Sequence, residues 1–218
     1  MKILVFDTET TGLPVGYNPS IYDTHLWPHL LQLSYILYDA DNNTVITIND
    51  SIIKISPDII ISKETTNING ITNLQCKRYG VPIVEVLSKF NDQIKQADCI
   101  LAHNISFDKR IIMVECIRKK LFCHLSKKSE SPANEYCTMK GGKNICKIEK
   151  LNKKGELYYK YPTLSELHNQ LFNHIPNNTH NALVDILICL RCYLKLKYSF
   201  DIINKNNKIK ALFKKFDI

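Results

Sequence analysis

The stretch KILVFDTETTG, residues 2–12, closes an apolar, partly β-branched run with two carboxylates, Asp7 and Glu9. Such a run reads as a buried strand, and in a strand residues i and i+2 share a face. Two unit charges ~4 Å apart at an effective dielectric of ~20 repel by ~4 kcal/mol. The pair therefore asks for a positive partner. Two further carboxylates fall in the first turns of expected helices: Asp108 in AHNISFDKR, after a short strand, and Asp185 in HNALVD. His180 precedes Asp185 by five residues, which in a helix is about 140° beyond a full turn. The two converge only if His180 sits in the entry to the helix and folds back toward it. A four-carboxylate cluster is unstable without cations, and hard divalent ions take carboxylate, water and phosphate oxygens. Two ions ~3.5–4 Å apart can hold an attacking water and a leaving oxygen in line across phosphorus. A neutral imidazole with pKa ~6.5 can take the proton of that water. Singly, each residue has a plain reading: a solvated turn, a carboxylate serving the helix dipole, a surface histidine. It is their combination that points to chemistry.

The elements that must position these residues follow from periodicity. Residues 2–7, 29–39 and 44–53 read as three strands, the last two joined by the turn-like ADNN. Residues 64–80 read as short helical pieces around Gly70. Val84, Leu87, Asn91 and Ile94 fall at helical spacing, with Val86 and Phe90 widening the apolar face. CILA (99–102) is a short buried strand. A helix follows to about residue 121, with Ser106 as its cap and Ile111, Val114, Ile117 and Leu121 on one stripe. Residues 122–161 are Lys-rich and irregular, broken by KKSESP and GGKN, with a hairpin expected to turn at NKKG. Thr163 and Glu166 stand at capping-box spacing and start a helix. HNALVDILICLRCYLKLK is a helix with Leu183, Leu187, Leu190 and Leu194 in line, and the tail forms a short basic amphipathic helix. Strands first, then alternating helices, describe one α/β domain with a mixed sheet whose first three strands form an antiparallel meander.

The chain of 218 residues is 44% hydrophobic with net charge +8, which excludes a disordered polymer, and no apolar stretch approaches the ~20 residues that span a bilayer. The strand that begins at residue 2 leaves no room for a signal peptide, so the expectation is an intracellular soluble protein of cytoplasm or nucleus. Richness in Lys, Asn and Ile fits an AT-rich genome, a large virus or a parasite. Charge is uneven: residues 1–107 carry −4, residues 108–154 carry +8 and residues 195–218 carry +5. An acidic half beside basic segments fits a phosphodiester ligand, and solvated helix faces are the bland alternative. Of the eight cysteines, 99, 116, 189 and 192 fall in apolar patterns. Cys123, His124, Cys137 and Cys146 could bind zinc, but their spacing matches no CxxC pair. Tyr17, Tyr22 and Trp27 read as core or rim packing, with base stacking as the alternative.

Three motifs carry a resemblance: FDTETTG (6–12), HNISFD (103–108) and HNALVD (180–185), supported by WPHLLQLSYILYD (27–39), NGIT (69–72) and YPTLSELHNQLF (161–172). In order and spacing the chain resembles the DEDDh family of 3′→5′ exonucleases, DnaQ-like enzymes that include the bacterial polymerase III proofreading subunit and oligoribonuclease. The resemblance implies a ribonuclease H-like fold, a mixed five-stranded sheet flanked by helices. It implies Asp7, Glu9, Asp108 and Asp185 as ligands of two divalent cations, Mg²⁺ or Mn²⁺, and His180 as general base. Thr10, Thr11 and Gly12 would hold the terminal nucleotide, Leu13 would wedge at its base, and Asn104 and Phe107 would shape the pocket. The implied reaction removes nucleoside 5′-monophosphates from a free 3′ end, single-stranded DNA favoured and RNA open. The expected domain is 1–195, with a basic insertion at about 122–161 and a basic extension at 196–218. The insertion is a candidate either to grip nucleic acid or to bind a polymerase or replication protein. A homodimer is open, as relatives dimerise, although no patch demands one. The alternatives are a catalytically silent nucleic-acid-binding or adaptor module on the same fold, and a zinc-binding interaction protein built on the cysteines.

Overall fold

The structure, a computed structural model, describes residues 1–126, 134–177 and 179–218. Three strands, β1 (Lys2–Thr10), β2 (Leu30–Asp39) and β3 (Thr44–Ile52), form the antiparallel meander. Two parallel strands, β4 (Cys99–Ala102) and β5 (Asn134–Cys137), complete a five-stranded sheet in the order β3-β2-β1-β4-β5. The helices are α1 (Lys63–Asn69), α2 (Asn73–Tyr79), α3 (Ile83–Ile94), α4 (Ile105–Arg118), α5 (Thr138–Cys146), α6 (Leu164–Phe172), α7 (Ala182–Tyr198) and α8 (Asn207–Phe216). This is the ribonuclease H-like α/β architecture.

The alternation of β1 decides which helix covers which face. Leu4 and Phe6 pack with Phe90 of α3 and Ile111 of α4 on one side. Ile3 and Val5 pack with Leu187, Leu190 and Leu194 of α7 on the other. Each fully buried side chain of this kind contributes roughly 1.5–3 kcal/mol of transfer free energy. Helix α7 is apolar nearly all round because it is itself sandwiched: Val184, Ile188 and Cys192 turn away from the sheet toward Leu167 of α6. The basic tail joins the same core, with Ile209 and Phe213 of α8 buried beside Ile36 and Tyr38 of β2. Arg191 of α7 ties it down. Its guanidinium is paired with Asp201 at 2.6 Å, bonded to His168 Nε2 at 3.0 Å and stacked 3.9 Å from the Phe172 ring.

Some local expectations need correction, whereas the NKKG hairpin and the packing of Trp27 agree with the sequence. Helix α4 is capped by Asn104 in the left-handed region (φ 70°), so Ser106 lies inside the helix, which ends at Arg118. Ile117 is only half-buried, and the buried face runs through Ile111, Ile112, Val114, Glu115 and Cys116. In α3, Val84 is exposed and the buried face is Val86, Leu87, Phe90, Asn91 and Ile94. The expected insertion holds β5, α5 and the hairpin β6 (Glu149–Leu151) and β7 (Leu157–Tyr159). KKSESP, at 127–132, lies outside the described residues. Trp27 belongs to the core, its indole N–H donating to the Ser20 carbonyl, whereas Tyr17 and Tyr22 are exposed. No helix among the described residues is long and apolar enough to cross a membrane.

Candidate active site

The site forms where the sheet parts. Strand β4 pairs with β1 only as far as Val5↔Leu101, while β1 runs on along β2 to Thr10. A crevice beyond the carboxyl ends of parallel strands is a common ligand position in α/β sheets. The parity that sends Val5 toward α7 sends Asp7 and Glu9 the same way. Helix α7 brings Asp185 to meet them from its first turn, its amino end capped by Asn181, whose side chain accepts from Leu183 and Val184 N–H. One carboxylate oxygen from each of Asp7, Glu9 and Asp185 lies within 4.8 Å of the others. His180 folds back as the spacing required: its backbone is left-handed (φ 71°) and its N–H donates to Asp185 Oδ2 at 3.0 Å.

Asp108 arrives from the other face, on α4, and is 3% exposed. Its Oδ1 accepts both the Thr8 N–H, at 3.1 Å, and the Thr8 hydroxyl, at 2.7 Å. It lies outside the close trio but raises the pKa of Asp7 and Glu9 through its charge. All four carboxyls are pushed up, first by burial. Asp7 rises well above the usual carboxylate range, helped by Asp108, Asp185 and Glu9. Glu9 is pushed up to about 8, with Asp185 and Asp108 adding to burial and a hydrogen bond from Asn69 opposing. Asp108 and Asp185 are each pushed up to about 7, the Thr8 bonds restraining the first and the His180 N–H the second. This donor set fits a hard divalent cation: every donor is a carboxylate oxygen, and burial, with like-charged neighbours adding at Asp7, Glu9 and Asp108, disfavours its ionised form until a cation is present. Among the described residues it is the one group of three or more such side chains close enough to share an ion. Cys123, His124, Cys137 and Cys146 are not gathered in this way.

The cluster opens into a cleft of about 490 Å³ lined by Asp7, Asp185, His103, Tyr161, Thr163 and the exposed His180. A second hollow of about 330 Å³ joins it at Asn104, between Leu13, Trp27, Phe107 and Arg110. Leu13 is 80% exposed at its rim. Gly12, with φ 153° and open space where a Cβ would stand, takes a backbone shape that side chains rarely adopt. Thr10 is buried and donates to the Gly12 carbonyl at 2.6 Å. Thr11 is committed to His29: its N–H donates to the His29 carbonyl and its hydroxyl accepts the His29 N–H, both at 2.9 Å. Thr11 therefore braces the loop.

Three residues of the site were not singled out by type and spacing. Thr8, inside D-T-E, fixes Asp108. Asn69, in NGIT, bonds Glu9 and lies 3.5 Å from the Thr10 carbonyl. His103, in HNISFD, meets the Thr138 hydroxyl at Nδ1 (3.0 Å) and donates from Nε2 to the Pro162 carbonyl (3.1 Å). Burial, opposed by the Pro162 bond, pushes its pKa down to about 4. It is a strut of the cleft wall.

The RNase_T family model, described as "Exonuclease", matches residues 4–193. No curated protein matches the sequence. Among solved structures, the chain is similar to E. coli Exonuclease I in complex with a dT13 oligonucleotide, at TM-score 0.65 and 16% identity over 89% of this chain and 41% of that one. It is equally similar, at TM-score 0.65, to that enzyme with a dA16 oligonucleotide (18% identity, 97% and 45% of the chains) and to its zinc-bound single-stranded DNA complex (17%, 97% and 45%). The chain thus spans less than half the length of these structures, and the likeness is one of fold.

Proposed function

The chain belongs to the RNase_T exonuclease family, and on that premise we propose that it is a divalent-metal-dependent 3′→5′ exonuclease of single-stranded DNA that releases nucleoside 5′-monophosphates. The observation that carries this reading is the meeting of Asp7, Glu9 and Asp185, within 4.8 Å, at the mouth of a cleft. Asp7, Glu9, Asp108 and Asp185 would hold Mg²⁺ or Mn²⁺, the all-oxygen donor set favouring hard ions over zinc. When bound, the cations supply Lewis-acid stabilisation of the scissile phosphate and of the attacking and leaving oxygens. Thr8 and the His180 N–H aim Asp108 and Asp185. The His180 imidazole, exposed on the cleft wall, takes the proton of the attacking water. Gly12 lets the strand end approach the backbone, and Leu13, Asn104 and Phe107 border the adjoining hollow, where the terminal nucleotide is separated from its neighbour. The catalytic unit is residues 1–195, with 196–218 an extension folded onto its sheet.

The test uses a 5′-labelled single strand with Mg²⁺ or Mn²⁺. The wild-type protein shortens it stepwise, and Asp185→Asn stops the ladder while retaining affinity for the strand. A wild-type protein that leaves the strand intact with either ion, and behaves as Asp185→Asn does, overturns the reading.

A further inference from the structure

Strands β6 and β7 pair only with each other and stand apart from the main sheet. All six of their residues are exposed. A lone hairpin is marginal in water, and this one is held by polar bonds at both ends. At the tip, the Asn152 side-chain oxygen accepts the N–H of Lys154 and Glu156, and Gly155 takes a left-handed φ of 79°. At the base, the Lys160 ammonium sits 2.6 Å from both oxygens of Glu166. The register Glu149↔Tyr159, Lys150↔Tyr158 and Leu151↔Leu157 puts Glu149, Tyr159, Leu151 and Leu157 on one face and Lys150 and Tyr158 on the other. Leu151 and Leu157 are 62% and 61% exposed. Exposed apolar and aromatic side chains thus stand on both faces of the hairpin.

Charge identifies the ligand they suit. Residues 139–161 carry seven lysines against two glutamates. Among the described residues, no carboxylate pairs with Lys147, Lys150, Lys153 or Lys154. Aromatic rings interleaved with free ammonium groups suit a single-stranded polyanion with stackable faces. Position agrees. The chain leaves β7 through Lys160 directly into Tyr161, Pro162 and Thr163, which line the cleft that holds Asp7 and Asp185. The Pro162 carbonyl is pinned by His103, so hairpin and cleft wall are one continuous support.

We infer that the β6–β7 hairpin is a binding arm for single-stranded nucleic acid, gripping nucleotides that trail from the 3′ end seated in the cleft. Tyr158, which shares a face with Lys150, stacks on a base, and Lys150, Lys153 and Lys154 contact phosphates. This deepens the exonuclease reading and rests on it for the identity of the ligand.

The test separates the two. A fluorescent oligodeoxynucleotide is titrated in chelator, where no cleavage occurs, against wild type, the variant Tyr158→Ala/Lys150→Ala/Lys153→Ala/Lys154→Ala, and the conservative variant Tyr158→Phe/Lys150→Arg/Lys153→Arg/Lys154→Arg. One lost stack alone weakens binding by about 5- to 150-fold. Three lost phosphate contacts lower the salt slope of log K by about two. The conservative variant keeps both wild-type values. With Mg²⁺, the ratio of kcat/KM on a long strand to that on a dinucleotide falls by at least about fivefold in the alanine variant, the lower end of the stacking magnitude. Equal affinity and salt slope in wild type and alanine variant overturn the arm, whatever the protein cuts, and leave the apolar face to a protein partner. A wild type that binds through the hairpin yet cuts neither substrate overturns the exonuclease reading and leaves the arm standing.

Discussion

Glu9→Gln should stabilise the metal-free protein, and increasingly so as pH rises from about 5 to 8. The glutamine keeps the shape of Glu9 and an oxygen for the Asn69 amide, and it cannot ionise. The Glu9 carboxyl has a folded-state pKa of about 8 against an ordinary 4.5. Because the folded value is the higher one, the stabilisation from the protonated form is complete below about pH 4 and is lost as pH rises through 7 to 8. At 1.36 kcal/mol per pH unit the loss between pH 4 and pH 8 is about 4 kcal/mol. Asp7, Asp108 and Asp185 are pushed up in the same crevice and share the protons, so the expected gain from Glu9→Gln at pH 8 is about 2–4 kcal/mol. For a chain of this length that is roughly 4–16 °C in Tm. His103 and His168, both pushed down to about 4 by burial, titrate in the opposite sense, weakening the fold as pH falls below their ordinary range. They are common to both proteins and cancel. The assay is thermal unfolding of the two proteins in chelator at pH 5 and pH 8, then with saturating Mg²⁺. Wild type should gain on adding metal at pH 8, and the variant should gain less. A variant that melts with or below wild type at pH 8, or whose advantage is the same at pH 5, refutes a strained carboxylate cluster.

His180→Gln should lower kcat by about 10²–10⁴-fold with little change in KM. Single-turnover cleavage of a labelled strand measures it, and an unchanged rate removes the imidazole from proton transfer. Arg191→Ala should cost about 3–5 kcal/mol in denaturant unfolding, because it leaves the Asp201 carboxylate without its partner inside the α6–α7–α8 junction. A loss below about 1 kcal/mol would place the pair with ordinary surface ion pairs.

What was legible in the sequence was what alternation and spacing encode. β1, β2 and β3 follow from short-period apolar runs. The capping box at Thr163 and Glu166 marks the start of α6, with both of its bonds formed. The five-residue step from His180 to Asp185 demanded a fold-back, and the left-handed His180 supplies it. The misses have physical causes. β5 is four residues, NEYC, with no alternation to announce it, and the sheet recruits it by pairing with β4. Asn104 caps α4 through backbone shape, with no side-chain bond, so Ser106 was the better cap by type alone. Thr8, Asn69 and His103 act on residues 100, 60 and 35 positions away through hydrogen bonds that no local period records. The motif strings contained all three, and only the folded chain distinguishes them from filler.

The bond from the Thr8 N–H to Asp108 reaches beyond chemistry. Past Val5 the β4 side of β1 has no strand beside it, and there the Asp108 carboxylate receives a backbone donor as a neighbouring strand's carbonyl would. Position 108 is thus both the last rung of the sheet and a member of the acidic crevice. An amino-acid change there unfastens the edge that sets the direction of Asp7 and Glu9. A substitution at Asp108 therefore perturbs the sheet edge as well as the acidic cluster, whereas Glu9 and Asp185 hold no strand in place, Asp185 accepting instead the His180 N–H.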